Sequence, residues 1–286
     1  MAKFARLLPF GRFQTPIRTF AHPSTSQRVT VVAVNHFGTD RYFRGLLTAI
    51  TDRQRGGAIV LSEGADMVTN DPIAATAGKQ IGTTAGEGIE ATPAERTALA
   101  SMRAVNDHMV EVFARFGWVH ESQVIGTPAG WRYVDLSHED IIRQTGAAAF
   151  QHIADSATTG KTGQALDPRL TRARLLLQLA FSLRLIAVLP ARLQSEIKFD
   201  DIDAVVLEQR NKLVLDTIDT TSADVVVWWG ARHLPGLTAG LTARGYQQTG
   251  RDSWRTVGTL PPISTSLWRL LAARRAVARD AKAVVR

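Results

Sequence analysis

Two periods organise the apolar positions of the chain. Residues Arg28 to Val34 form a continuous Val/Thr run, RVTVVAV, which predicts a strand covered on both faces, as in a parallel or mixed sheet. A helical period follows from about Arg41 to Arg53, and GGAIVLSEGAD then reads as turn, strand and loop, with Glu63 at the strand's carboxyl end. From Met67 to Thr92 the chain is rich in Gly, Ala, Thr and Asn and predicts an irregular segment beside a cleft. Pro93 opens a helix capped by Thr92. SQVIG and WRYVDLS are short strand candidates around the turn TPAG, and SHED, with Ser137 and Asp140, has the spacing of a capping box. Helices are expected over Arg169 to Leu189 and about Asp201 to Asp219, separated from what precedes by the loop SATTGKTGQALDP. ADVVVWW restores a buried strand, GLTAGLTARG predicts a helix ending at Gly245, and YQQTGRDSWRTV predicts a final hairpin or edge strand.

This alternation predicts an α/β fold: a central mixed or parallel sheet, flanking helices, a helical central insertion, and β-α-β ends that meet in one sheet. No repeat of fixed period is visible. The organisation expected is a basic N-terminal extension over 1–27, an α/β domain over 28–257 and a basic C-terminal helix over 258–286.

The 286 residues are 45% hydrophobic and 21% charged, enough apolar material for one large core or two modest ones. Cysteine is absent, which excludes disulfides, thiolate metal sites and cysteine nucleophiles and suits a reducing cytoplasm. Lys and Arg outnumber Asp and Glu by 34 to 26, with the excess concentrated at the two ends. Such ends read as solvated helix faces or as peripheral contacts with an anionic membrane. No nucleic-acid recognition motif accompanies them. The first residues lack the apolar core of a secretory signal, and RLLLQLAFSLRLIAVLP is interrupted by Gln178 and Arg184, so neither a signal nor a membrane span is expected.

Candidate chemistry gathers at strand ends. His36, Glu63 and His233 each follow a buried-looking strand, and in open α/β sheets the carboxyl edge is where ligands bind. Two imidazoles and a carboxylate suit a divalent ion such as Zn, Mn or Co with open positions for water and substrate. Each histidine taken singly also fits a hydrogen-bonded structural role, and Glu63 fits a helix cap or a general base. Arg210 and Asn211 project about 100° apart on a helix and reach one cleft, or Arg210 pairs with Glu208 or a neighbouring strand. Asp135 follows a strand and either supports the site or caps a helix. Trp228 and Trp229 face opposite sides of the sheet and serve packing. TTGKTG has Asp155 where a phosphate loop needs its first glycine, HESQV and HEDII lack the second histidine of a zincin helix, and neither Gly-x-Ser-x-Gly nor Gly-x-Gly-x-x-Gly occurs.

GARHLPGL resembles the second Gly-x-x-His signature of the TraB/GumN/PrgY superfamily, which includes the Tiki metalloproteases and has an erythromycin-esterase/ChaN-like architecture. AVNHFGTD resembles the first such signature, with Ala33 in place of its glycine. IVLSEG resembles the strand-borne glutamate and LEQRNKLVLDTI the helical Arg-Asn element, in matching order over about residues 28–257. The resemblance implies a divalent-metal hydrolase, peptidase-like, acting on a peptide or small acyl substrate. It implies His36, Glu63 and His233 as ligands, with Glu63, Arg210 and Asn211 in catalysis. The competing expectation is a noncatalytic regulatory or binding protein on the same scaffold.

Overall fold

The computed structural model of the chain describes residues 3–64, 92–126, 128–149, 151–152, 167–197 and 204–284. The irregular stretch expected from Met67, the TTGKTG fragment and the start of the helix expected from Asp201 lie outside these residues.

The chain is an α/β protein built on an eight-stranded mixed sheet. Its strands are β1 (Arg6–Leu8), β2 (Arg12–Ala21), β3 (Arg28–Val34), β5 (Ile59–Ser62), β7 (Trp131–Tyr133), β8 (Val225–Gly230), β9 (Gln247–Gln248) and β10 (Ser253–Thr259). A separate two-stranded sheet pairs β4 (Phe37–Gly38) with β6 (Val119–His120). The helices are α1 (Asp40–Arg55), α2 (Pro93–Ala114), α3 (Ser122–Ile125), α4 (His138–Thr145), α5 (Pro168–Val188), α6 (Ala191–Glu196), α7 (Arg210–Asp219), α8 (Leu234–Ala243) and α9 (Ile263–Val284).

The order β3-β8-β5-β7 is parallel throughout, so β8, late in the chain, inserts between two early strands. Register carries the functional consequence. Val34 lies opposite Gly230, Ser62 opposite Trp228, and Tyr133 opposite Ser62, which brings four carboxyl ends to one edge. Continuous burial drives this centre: Val29, Val31 to Val34 and Val225 to Trp229 are all buried, as expected for strands covered on both faces. In α1, Thr39 accepts the Tyr42 amide, and Tyr42, Phe43, Leu46 and Ile50 form the stripe that packs inward. Thr92 and Glu95 complete the capping box of α2, and Ser137 caps α4 by accepting the Asp140 amide at 3.0 Å.

Two expectations are corrected. Residues 3–27 do not stand apart as an extension: β2 pairs antiparallel with β3, β1, β9 and β10 and belongs to the sheet. SQVIG is not a strand, because the Glu121 carbonyl accepts the Val124 and Ile125 amides at 3.0 and 2.9 Å, closing a helical turn that Gly126 ends at φ 61. The β-branched residues signal a strand, but the strand lies just upstream in β6. Of the two forms expected for YQQTGRDSWRTV, the edge strand is the one found: β9 and β10 each pair with β2 along its edge.

A bulge in β10 between Thr256 and Gly258 brings the backbone against the Trp118 indole. A Cβ on Gly258 would collide with Nε1 and stand 2.6 Å from Cε2 of that fully buried ring. Gly258→Ala is therefore expected to lower unfolding free energy by about 1–3 kcal/mol through overpacking, measured by urea titration; an unchanged midpoint would show that the ring yields.

Candidate functional site

The side chains that follow the parallel strands converge. His36 lies in the short loop after β3, where its neighbour's amide, Asn35 N–H, donates to Tyr42 Oη at 3.2 Å. Its own carbonyl accepts the Glu121 amide at 2.9 Å. Pairing of Phe37 with His120 across β4 and β6 thus places His36 beside Glu121. Glu63 follows β5 and is held by its amide donating to the Trp228 carbonyl at 3.0 Å. His233 closes a short 3-10 turn (Ala231–His233) that leads from β8 into α8. Arg210 and Asn211 open α7, directly after a π-helical turn (Ala204–Gln209).

Glu63 is the hub. Its Oε1 accepts from Arg210 Nη2 at 2.6 Å, and its Oε2 accepts the Gly230 amide in a short hydrogen bond. The same oxygens lie 3.7 Å from His233 Nε2 and 3.7 Å from His36 Nε2 respectively. Each imidazole is oriented through its other nitrogen: His36 Nδ1 donates to Glu121 at 2.9 Å and His233 Nδ1 donates to Asn211 Oδ1 at 2.9 Å. A carboxylate and an amide oxygen only accept, so these partners fix a proton at Nδ1 of each ring and turn both Nε2 atoms toward Glu63. Trp228 Nε1 braces Glu121 at 3.1 Å. Gly230 leaves room in the middle, since a Cβ there would stand 3.0 Å from His36 Nε2 and 3.1 Å from Glu63 Oε2.

Arg210 is spent on carboxylates. Its Nε and Nη2 bind Asp135 at 2.6 and 2.5 Å in a fork, while Nη2 also holds Glu63. Asp135 in turn accepts the Gly64 amide at 2.8 Å. The partner of Arg210 is therefore a pair of strand-end acids, not Glu208, and its contacts make it a positioning residue. Asn211 has the same character, acting through His233. Gly236 protects that contact: a Cβ there would collide with Asn211 Nδ2.

The charges divide the two histidines. Burial opposes protonation of His36, but Glu121 and Glu63 outweigh it and raise its pKa to about 9. His36 keeps its side chain 39% exposed, whereas that of His233 is 4% exposed. Burial dominates at His233 and lowers its pKa to about 3, leaving a neutral ring. Burial favours the acid form of Glu63, yet Arg210, His36 and the Gly230 amide hold its pKa far below the usual carboxylate range. Burial likewise opposes the charge on Arg210, and Glu63 and Asp135 overcome it, raising its pKa.

In chemistry the donors suit a divalent cation: two neutral-capable Nε2 atoms with anchored rings, one carboxylate between them, and an acid excess of Glu63, Glu121 and Asp135 over Arg210. Among the described residues no three His, Asp or Glu side chains already stand as a metal-binding group. The 3.7 Å separations exceed the roughly 3.3 Å between neighbouring ligands of a tetrahedral ion. Comparison with family models, curated proteins and solved structures found no match to this chain.

Two contributors escaped sequence reasoning. Glu121 sits in the HESQV segment set aside for lacking a second histidine, and its only signal was an acid directly after a short strand. Trp228, a packing residue by its place in an apolar strand, also orients Glu121 through its indole N–H.

Arg210→Met is expected to cost about 3–5 kcal/mol, because Glu63 and Asp135 would remain buried without their countercharge. Chemical denaturation measures this, and a loss under about 1 kcal/mol would show that the cluster contributes no more than a surface pair.

Proposed function

We propose that this protein is a divalent-metal-dependent hydrolase of the TraB/GumN/Tiki type, acting on a peptide or small acyl bond. The observation that supports it is that His36 and His233, each tied at Nδ1, turn Nε2 toward one carboxylate, Glu63. The motif order that resembles the superfamily agrees with this arrangement and with an α/β scaffold.

In this reading His36, His233 and Glu63 hold the ion, which is Mn, Co or Zn. When bound, such an ion polarises a substrate carbonyl and lowers the pKa of its water toward neutrality. The chain's own residues prepare the place. Glu121 and Asn211 keep the rings in the tautomer that offers Nε2, Arg210 holds the plane of Glu63, and Gly230 keeps the centre free of a side chain. His36, the most exposed of the three donors, lies on the side from which substrate arrives. A noncatalytic scaffold is the second reading, favoured by the fact that both Glu63 oxygens already have partners in Arg210 and Gly230.

Protein stripped with a chelator and reloaded with Mn, Co or Zn should take up one ion per chain, by elemental analysis, and cleave members of a peptide library. His36→Ala is the sharper variant, because His233 is buried and its removal also opens a cavity. It should lose both uptake and cleavage, with circular dichroism unchanged. Stoichiometric uptake and wild-type cleavage by His36→Ala would remove His36 from the ligand set. If the wild type takes up no ion and cleaves nothing, the scaffold reading replaces the enzyme.

A further inference from the structure

Charge and exposed apolar surface coincide on one pair of helices far from the strand-end site in sequence. Helices α5 and α9 pack against each other and run antiparallel. Arg169 Nη2 meets Asp280 at 2.8 Å at one end, and Arg184 Nη2 donates to the Leu260 carbonyl at 2.9 Å at the other. Between them the two helices carry nine Lys and Arg residues and a single acid, Asp280, which equals the entire net charge of +8. The remainder of the chain is balanced.

The large hydrophobic side chains exposed among the described residues gather at one end of this pair. Phe181, Leu185 and Val188 belong to the last turns of α5, Leu193 to the adjoining α6, and Ile263, Leu267 and Trp268 to the first turns of α9. Phe10 joins them, because the Gly11 carbonyl in the same tight turn accepts the Leu260 amide at 2.9 Å. Phe10 is 92% exposed and held at φ 62, a backbone region that favours glycine. Trp268 is 64% exposed. Toward the other end of the pair, Arg115, Arg169, Arg172 and Arg269 line a groove of about 430 Å³ floored by Leu176 and alanines, where Arg169 pairs with Asp167 and Asp280 and Arg172 with Glu111.

We propose that the α5–α9 face docks on the surface of an anionic lipid bilayer. Phe10, Trp268 and their apolar neighbours enter the headgroup boundary, and the exposed Arg269, Arg274 and Arg275 take lipid phosphates. Aromatic and leucine side chains framed by arginine are what an interfacial helix presents to such a surface. Charge selects this occupant over the alternatives: a second copy would bring an equally basic face into contact, and a nucleic acid would leave the exposed Phe, Leu and Trp side chains without a role. No described helix is long and apolar enough to cross a membrane, so the contact is peripheral.

The full-length protein is sedimented with vesicles of phosphatidylcholine alone and of phosphatidylcholine mixed with phosphatidylglycerol. Binding is expected only to the acidic vesicles and should weaken with added salt. Phe10→Ser/Trp268→Ser should lower the partition coefficient at least about tenfold, and Arg274→Glu/Arg275→Glu should abolish the preference for acidic lipid. All four positions are exposed, so circular dichroism and melting temperature should not change. Equal binding to both vesicle types, no binding to either, or binding indifferent to the serine variant would overturn the proposal. So would a dimer in sedimentation velocity that Trp268→Ser disperses, or displacement from acidic vesicles by duplex DNA at equal phosphate concentration.

Discussion

One buried guanidinium governs the carboxyl edge of the sheet. Arg210 reaches from the start of α7 to Asp135 after β7 and to Glu63 after β5, so a single cation ties a helix to two neighbouring strands. None of the three charges is sustainable alone, because the side chains of Arg210, Glu63 and Asp135 are only 11%, 11% and 5% exposed. The fork to Asp135 fixes the guanidinium plane. That plane fixes Glu63, whose second oxygen caps the Gly230 amide, and the carboxylate then stands between the two imidazoles. The π-helical turn before Arg210 is the kind of local widening that helices adopt where a side chain must be aimed.

Around that lock the site has two unlike walls. His233 belongs to the interior, ringed by Trp229 at 6.0 Å and held by Asn211. His36 belongs to the rim, on a loop stabilised by two-residue strands and by Tyr42. A neutral buried ring and a charged exposed ring facing one carboxylate make an asymmetric environment, with an inner donor fixed by packing and an outer one fixed by Glu121.

The central strands were legible because unbroken Val runs leave few alternatives to double-sided burial. His36, Glu63 and His233 were legible because each stands within three residues of the end of a buried strand. The N-terminal strand was not. RFQTPIRTFA reads as polar and carries Pro16, which argues against a strand paired on both sides. Gln14, Thr15 and Arg18 are nonetheless buried, and each finds a partner outside the strand: Gln14 with Thr256, Thr15 with Tyr42, and Arg18 with Asp252. Partners of that kind leave no local pattern. Glu121 was hidden likewise, reaching His36 only through the pairing of β4 with β6.

The position of β8 has a consequence for how the molecule comes together. It lies between β3 and β5, hydrogen-bonded to both, so these two early strands cannot pair with each other in the finished sheet. During synthesis, β3, α1 and β5 leave the ribosome long before their common neighbour exists, with apolar strand edges open to wrong partners. Closing the sheet requires a contact between distant parts of the chain, an entropically slow step. The same insertion delivers Gly230 and His233. The nascent chain therefore acquires its folded centre and its candidate active site in one late event, and a chain arrested before β8 possesses neither.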